Sequence, residues 1–273
     1  MERRIGRLDE GQVAMAENPP SLLDELDLAL AVADLADEIT MERFQALDLV
    51  VDTKPDTTPV SEADRRVEQV LRERITRERP DHEFLGEEYG TTGSGEWLWI
   101  IDPIDATMNY VRGIPVFATL IALTHEGRTE VGVVSAPALG RRWWAARGHG
   151  AFLNGEPITV SRVSELGDAQ LSINSLLDFD DHGVGEQGRA LSEVCWRTRG
   201  FGDFWSHVMV AEGVVDVAVE PIVAPWDLAA LQVIVEEAGG RFSDFTGRST
   251  YEGGKAISSN GYVHDEILSI LNG

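Results

Sequence analysis

Apolar residues recur at helical spacing from Ser21 onward, at Leu22, Leu23, Leu26, Leu30, Ala33 and Ile39, and predict a long first helix. The stretch from Lys54 to Pro59 is broken by two prolines and reads as a loop. Ser61 and Asp64 have the spacing of a capping box. They open a second helix with Val67, Val70, Leu71 and Ile75 on its apolar face and Pro80 beyond its end. Two helices are thus expected before any strand. Short runs rich in Trp, Ile and Val follow, at Trp97 to Ile101, Val116 to Leu123, Glu130 to Ala136 and Arg142 to Ala145. Gly or Pro turns separate them, and they predict a sheet with hairpins.

After about residue 165 the rhythm becomes an alternation. Strands are expected near Gln170 to Asn174, Trp196 to Thr198 and Val215 to Val219, with helices near Glu186 to Val194, Phe204 to Glu212 and Asp227 to Ala238. No internal repeat of solenoid length is present. The expected fold class is a layered α/β protein: residues 1–20 a loose, flexible extension, 21–164 a helix-plus-sheet half, and 165–273 an α/β half.

Composition narrows function more than fold. With 43% hydrophobic and 26% charged residues the chain is globular, and 23 basic against 47 acidic residues give a net charge of −24. Such a surface repels phosphate backbones and anionic lipid, so neither nucleic acid nor membrane is expected as a partner. The single cysteine, Cys195, makes no internal disulfide, reads as core filler and fits a reducing cytoplasm. No apolar run is long enough to span a bilayer, and residues 1–20 lack the apolar core of a secretory signal. The six histidines contain no pair at the spacing of a helical zinc site. Trp143 and Trp144 read as filling a sheet face, and Gly148 to Gly155 as hairpin turns.

The strongest local signal is an apolar strand, Trp99 to Ile101, running straight into Asp102 and Asp105 with Pro103 between them. The turn places both carboxylates at a strand end, where open α/β sheets bind ligands, and clustered carboxylate oxygens suit hard divalent cations. Taken alone, such a turn is more simply a capped, solvated one. Asp227 is likewise explained as a helix N-cap, Asp64 as half of a capping box, and Gly86, Glu87 and Glu88 as an exposed loop.

In combination the signals become specific. The order and spacing of Lys54 to Asp64, Gly86 to Glu88, Asp102 to Thr107 and Trp226 to Ala230 resemble the inositol monophosphatase-like family of magnesium-dependent phosphatases. The segments Asn109 to Gly113, Gly202 to His207, Val217 to Pro221 and Ser258 to Gly261 are similar to its bacterial histidinol-phosphate phosphatase branch. The resemblance implies an αβαβα sandwich, like that of inositol monophosphatase and fructose-1,6-bisphosphatase, a homodimer, and a site between the two halves. It implies that Glu87, Asp102, Asp105, Asp227 and the Ile104 carbonyl hold two or three Mg²⁺ ions. Asp64 would orient water or ligate a weaker site, Thr107 would position the attacking water, and Asp105 with the amides around Ala106 and Thr107 would hold the phosphate. Asp203, Glu220, Asn109 and Arg112 fall in the branch-like segments as candidates for holding the alcohol half of the substrate.

The physics agrees, because four packed carboxylates cannot receive a phosphate monoester unless cations offset the charge. The expected activity is hydrolysis of L-histidinol phosphate in the cytoplasm. An inositol monophosphatase or related small-molecule phosphatase is the enzymatic alternative, and a catalytically weakened regulatory protein the non-enzymatic one. Rival phosphatase chemistries are absent: no Asp-x-Asp nucleophile pair coincides with Asp102 and Asp105, Cys195 has no arginine-ended loop, and no P-loop is present. The chain departs from the family pattern at Ala106, where glycine is usual, and a methyl there crowds the phosphate or strains the backbone.

Overall fold

The computed structural model describes residues 21–54, 58–93 and 95–273; the expected extension over residues 1–20 lies outside the described residues. Helix α1 (Leu22–Arg43) starts at Ser21, whose side chain and that of Asp24 cap each other's backbone amides. A short antiparallel hairpin, β1 (Val51–Thr53) and β2 (Pro59–Ser61), leads into α2 (Glu62–Glu78), where Ser61 and Asp64 form the expected capping box. The hairpin corrects the expectation of two helices before any strand. Its strands are only three residues long, β1 exposed throughout and β2 with two buried neighbours in a row, so they carry no alternation to detect.

The first sheet contains β3 (Glu83–Gly86), β4 (Gly90–Thr92), β5 (Trp97–Asp105), β6 (Ala118–His125), β7 (Arg128–Ala136), β8 (Arg141–Ala146), β9 (Ala151–Leu153) and β10 (Glu156–Ile158), with the five-residue helix α3 (Thr107–Val111) between β5 and β6. Its spatial order is β10-β9-β8-β7-β6-β5-β3-β4, antiparallel except for β3 beside β5. The second half adds β11 (Gln170–Ser172), α4 (Leu176–Asp181), α5 (Gly185–Val194), β12 (Arg197–Arg199), α6 (Asp203–Ala211), β13 (Val217–Glu220), α7 (Pro225–Glu237), β14 (Arg241–Ser243), β15 (Ala256–Ser259) and α8 (His264–Asn272). Its sheet runs β12-β11-β13-β15-β14.

Burial stacks these parts into five layers. Val32, Val67, Leu71 and Ile75 of α1 and α2 pack on Trp99, Ile101, Leu123 and Val133 on one face of the first sheet. Phe204, Val208, Leu228, Leu231 and Ile234 of α6 and α7 pack on Ile100, Leu120, Val134 and Trp143 on the other. The same two helices touch β13, β14 and β15, whose far face is covered by Phe179, Leu191, Ile267 and Leu271 of α4, α5 and α8. The αβαβα sandwich expected from the resemblance is therefore the observed architecture. Covering both faces of the first sheet explains why β5 and β6 read as unbroken apolar runs. It also divides the tryptophans: Trp143 enters the α6/α7 core, while Trp144 packs on the α1 side. No described helix is long and apolar enough to cross a membrane.

Two further local expectations change. Phe84 to Gly86 is a strand, hydrogen-bonded parallel to β5, so Glu87 leaves a sheet rather than belonging to an exposed loop. Asp227 is the third residue of α7, not its cap: Pro225 begins the helix, and the Asp227 carboxylate accepts from the Ala224 amide at 2.8 Å.

The first sheet and α7 meet most closely at Gly132, where an added Cβ falls 2.6 Å from the Ala230 carbonyl oxygen and 2.6 Å from Val233 Cγ1. Gly132→Ala is expected to destabilise the protein by about 1–3 kcal/mol, the usual cost of overpacking, because one obstacle is backbone. Denaturant unfolding with an unchanged slope checks this.

Candidate active site

Asp102 and Asp105 stand at the end of β5, where pairing with β6 shifts register between them and Pro103 bends the chain. Asp227 reaches the same point from the first turn of α7. One oxygen from each of the three carboxylates lies within 4.8 Å of the others. Backbone donors hold them there. Asp102 Oδ1 accepts from the Ile104 amide at 3.0 Å, Asp105 Oδ1 from Ala106 at 2.9 Å, and Asp105 Oδ2 from Phe204, in the first turn of α6, at 2.7 Å.

Crowding raises the proton affinity of the whole group. Burial first, then the charges of Glu87, Asp105 and Asp227, push Asp102 well above the usual carboxylate range. Burial and the charges of Asp203 and Asp227 do the same to Asp105. Asp227 rises to about 7, driven by burial and the charges of Glu220 and Glu87 against the Ala224 hydrogen bond. Asp64 rises to about 6 through burial, opposed by the Ser61 hydrogen bonds.

A cleft of about 860 Å³ opens beside the cluster, and the predicted residues Glu87, Ala106, Thr107, Asn109, Arg112, Asp203 and Asp227 line it. Asp64, Asp102, Ile104, Asp105 and Glu220 are buried behind the lining. Thr107 Oγ1 lies 2.9 Å from the Ile104 carbonyl oxygen and 3.3 Å from Asp64 Oδ1, so the structure brings these three together. The Ala106 amide is occupied by Asp105 Oδ1. Asn109 spends an amide hydrogen on the Val116 carbonyl at 2.9 Å, which fixes the loop carrying Arg112 and Ile114. Asp203 has a left-handed backbone, φ +49°, and its amide donates to Asn174 Oδ1 at 3.0 Å. Burial and the nearby charges of Glu220 and Asp178 push its carboxyl up to about 6. Glu220 faces the buried His207 ring, with 3.4 Å between Oε2 and Nε2.

Four contributors were not assigned from sequence. Lys54 Nζ sits 2.6 Å from both Glu87 and Glu88. Glu68 accepts the Glu88 amide at 2.7 Å and its carboxylate lies against Gly86, where any side chain would collide. Its position four residues after Asp64 on α2 was the available signal, because that spacing shares a helix face. Asn174 and His207 had no such signal.

Residues 22–272 match the model of the inositol monophosphatase family. The chain belongs to the inositol monophosphatase family. It is 53% identical over 256 residues to the histidinol-phosphatase of Mycobacterium tuberculosis, covering 91% of this chain and 98% of that protein. It is 51% identical over 263 residues to the histidinol-phosphatase of Streptomyces coelicolor, covering 93% and 98%. Among solved structures, an IMPase of Thermotoga maritima superposes with a TM-score of 0.82 at 35% identity, over 91% of this chain and 97% of that one. Membership makes the chain a phosphomonoester hydrolase, acting on small phosphate monoesters, in a family whose metal dependence is typical.

In this family member Ala106 has φ +64° and ψ +45°, a left-handed conformation that costs an L-residue about 1–2 kcal/mol. Its methyl also borders the cleft. Ala106→Gly relieves that strain but adds freedom to the unfolded chain, so a net gain of about 0.5–1 kcal/mol is expected. Activity should rise with it. Calorimetric melting and phosphate-release assays check the pair, and lost activity at unchanged stability contradicts the crowding reading.

The raised carboxyls also set a pH dependence. Asp227 and Asp64 bind protons more tightly folded than at their ordinary value of 3.8, so the folded state holds more protons than the unfolded chain. Their contribution is therefore complete below about pH 4 and is lost as pH rises through about 6 to 7, on the order of a few kcal/mol in a chelator. Melting curves from acid to neutral pH should fall in chelator, and divalent cation should flatten the fall. A curve that rises with pH in chelator contradicts the assignment.

Proposed function

We propose that the chain is a magnesium-dependent histidinol-phosphatase, releasing phosphate and L-histidinol from L-histidinol phosphate. The substrate reading is carried by the 53% and 51% identities to two histidinol-phosphatases over almost the whole chain. The metal reading is supported by the donor set, since three convergent carboxylates with strongly raised proton affinity are hard ligands awaiting a hard cation. Glu87, Asp102, the Ile104 carbonyl, Asp105 and Asp227 would hold two or three Mg²⁺ ions. Bound there, magnesium supplies charge compensation for the phosphoryl oxygens, a lower pKa for the attacking water and stabilisation of the leaving alkoxide.

The chain's own groups do the remaining work. Thr107 Oγ1 can give its proton to Asp64 Oδ1 while its lone pairs accept from water in the cleft, so the two residues orient and deprotonate the nucleophile. Asp105, through the cations it would hold, and the backbone around Ala106 and Thr107 would form the phosphate seat, with the Ala106 amide itself already taken by Asp105 Oδ1. Asp203 and Glu220 present negative charge toward the ammonium of the alcohol half, and Arg112 borders the cleft from a loop that Asn109 holds. In this reading residues 21–164 supply most of the phosphate machinery and residues 165–273 supply Asp227 and substrate selection. A cytoplasmic homodimer belongs to the same reading.

Phosphate release from histidinol phosphate, inositol phosphate, fructose bisphosphate and phosphoadenosine phosphate tests it. Histidinol phosphate should give the highest kcat/KM, chelator should abolish turnover, and Asp102→Asn should lower it by orders of magnitude with the fold intact. Preference for inositol phosphate moves the chain to the other enzymatic alternative. Full turnover in excess chelator removes the metal reading, and no turnover on any ester favours the regulatory one.

A further inference from the structure

Behind the cleft lies a buried ionisable pair that the phosphate machinery leaves unexplained. His207, on α6, has no exposed surface, and Glu220, the last residue of β13, is 4% exposed. His207 Nδ1 is 2.7 Å from Ser258 Oγ, on the strand paired with β13, and its Nε2 is 3.4 Å from Glu220 Oε2. Glu220 Oε1 and His207 Nε2 are both buried, and neither has a hydrogen-bond partner.

A buried carboxylate oxygen without a donor is unfavourable unless something else supplies one. Its surroundings point toward the cleft. Glu220 acts electrostatically on Asp105, Asp203 and Asp227, and the chain leaving it, Ile222 to Ala224, lines the cleft wall. The contact between Ser258 Oγ and Nδ1 fixes the ring with Nε2 facing Oε2. The two atoms face each other at 3.4 Å without a formed hydrogen bond, so the buried ring limits where the carboxylate can turn and leaves Oε1 uncommitted.

We infer that His207 is a positioning residue for substrate selection: by engaging Glu220 Oε2 it turns Oε1 toward the cleft as the acceptor for a primary ammonium on the alcohol half of the substrate. This rests on the histidinol phosphate reading, whose substrate carries such an ammonium; a polyol phosphate offers only neutral hydroxyls. Ser258 fixes the ring, the ring fixes the carboxylate, and the carboxylate meets the ligand.

The test measures kcat and KM in saturating magnesium for the wild type, His207→Leu, His207→Gln, His207→Asn, Glu220→Gln and the His207→Leu/Glu220→Gln double variant. The substrates are histidinol phosphate and 4-nitrophenyl phosphate, which has no ammonium, and melting temperatures are recorded alongside. His207→Leu and Glu220→Gln should each raise KM for histidinol phosphate by about tenfold, the scale of a charge-assisted hydrogen bond, with a several-fold smaller effect on the aryl ester. His207→Gln, whose amide reaches the place of Nε2, should recover most of the loss. His207→Asn, too short to reach, should not. In the Glu220→Gln background the His207 substitution should add no further rise. Equal losses on both substrates, parallel behaviour of the Gln and Asn variants, or additive effects in the double variant overturn the proposal in favour of simple packing. A wild type without preference for histidinol phosphate overturns the substrate reading and this inference together. A preference that Glu220→Gln removes and every His207 variant retains overturns the inference alone.

Discussion

Mutual repulsion among Asp102, Asp105 and Asp227 is the constraint around which the cleft is organised. Left to themselves, three carboxylates within 4.8 Å would separate or leave the protein interior. They stay because each is tied to backbone amides in a different part of the fold: the bend after β5, the first turn of α6, and the residue before α7. Those three places belong to two layers, the first sheet and the helices between the sheets. The five-layer packing is thus the device that forces like charges together, and its stability is what offsets the unfavourable electrostatics.

The periphery is treated differently. Glu87 and Glu88 have an internal cation, since Lys54 reaches both, and Glu68 has Arg72 at 2.7 Å. Among the described residues no such ion pair serves Asp102, Asp105 or Asp227, which rely on neutral amide donors. A fixed ammonium at their centre would satisfy the charges permanently and leave nothing for an exchangeable cation or a phosphate. Amide donors hold the oxygens in position while leaving the net charge uncompensated, and that separation of geometry from charge suits a site meant to take up cations.

Much of this was legible in the sequence, for identifiable reasons. The helices α1 and α2 announce themselves by apolar period, α2 also by its Ser61/Asp64 cap, and β5 by its unbroken apolar run ending in two aspartates. Motif order supplied the five-layer arrangement, which periodicity alone did not. What stayed hidden depends on contacts between distant segments. The three-residue strands β1, β2, β4, β9, β10 and β14 are too short for a period to register, whereas β11 and β12, equally short, were legible from their alternation with helices. The amide of Phe204 holding Asp105 joins positions 99 apart in the chain, and His207 meets Ser258 across 51. Asp227 was read locally as the helix cap, whereas it caps α7 from the third position, because Pro225 and Ala224 at the helix start have no side-chain acceptor of their own.

The distribution of function over the two sheets follows from the same geometry. In the proposed function the groups around the phosphate, Asp64, Thr107 and the irregular end of β5, hang from the first sheet and its covering helices, packed around Ala63, Ile104 and Tyr110. Asp203 opens α6, its amide donating to Asn174 Oδ1, while Glu220 is paired with Ala256 in the β13–β15 ladder and turns its carboxylate to the His207 ring, which Ser258 contacts. Changing a side chain that faces Asp203 or Glu220 leaves the sheet registers intact, whereas moving Asp102 or Asp105 means moving the strand that carries them. In the proposed function the phosphate chemistry stays with the strand end that carries Asp102 and Asp105, while the alcohol half is met by groups supported by a few buried polar side chains, the His207–Glu220 pair among them.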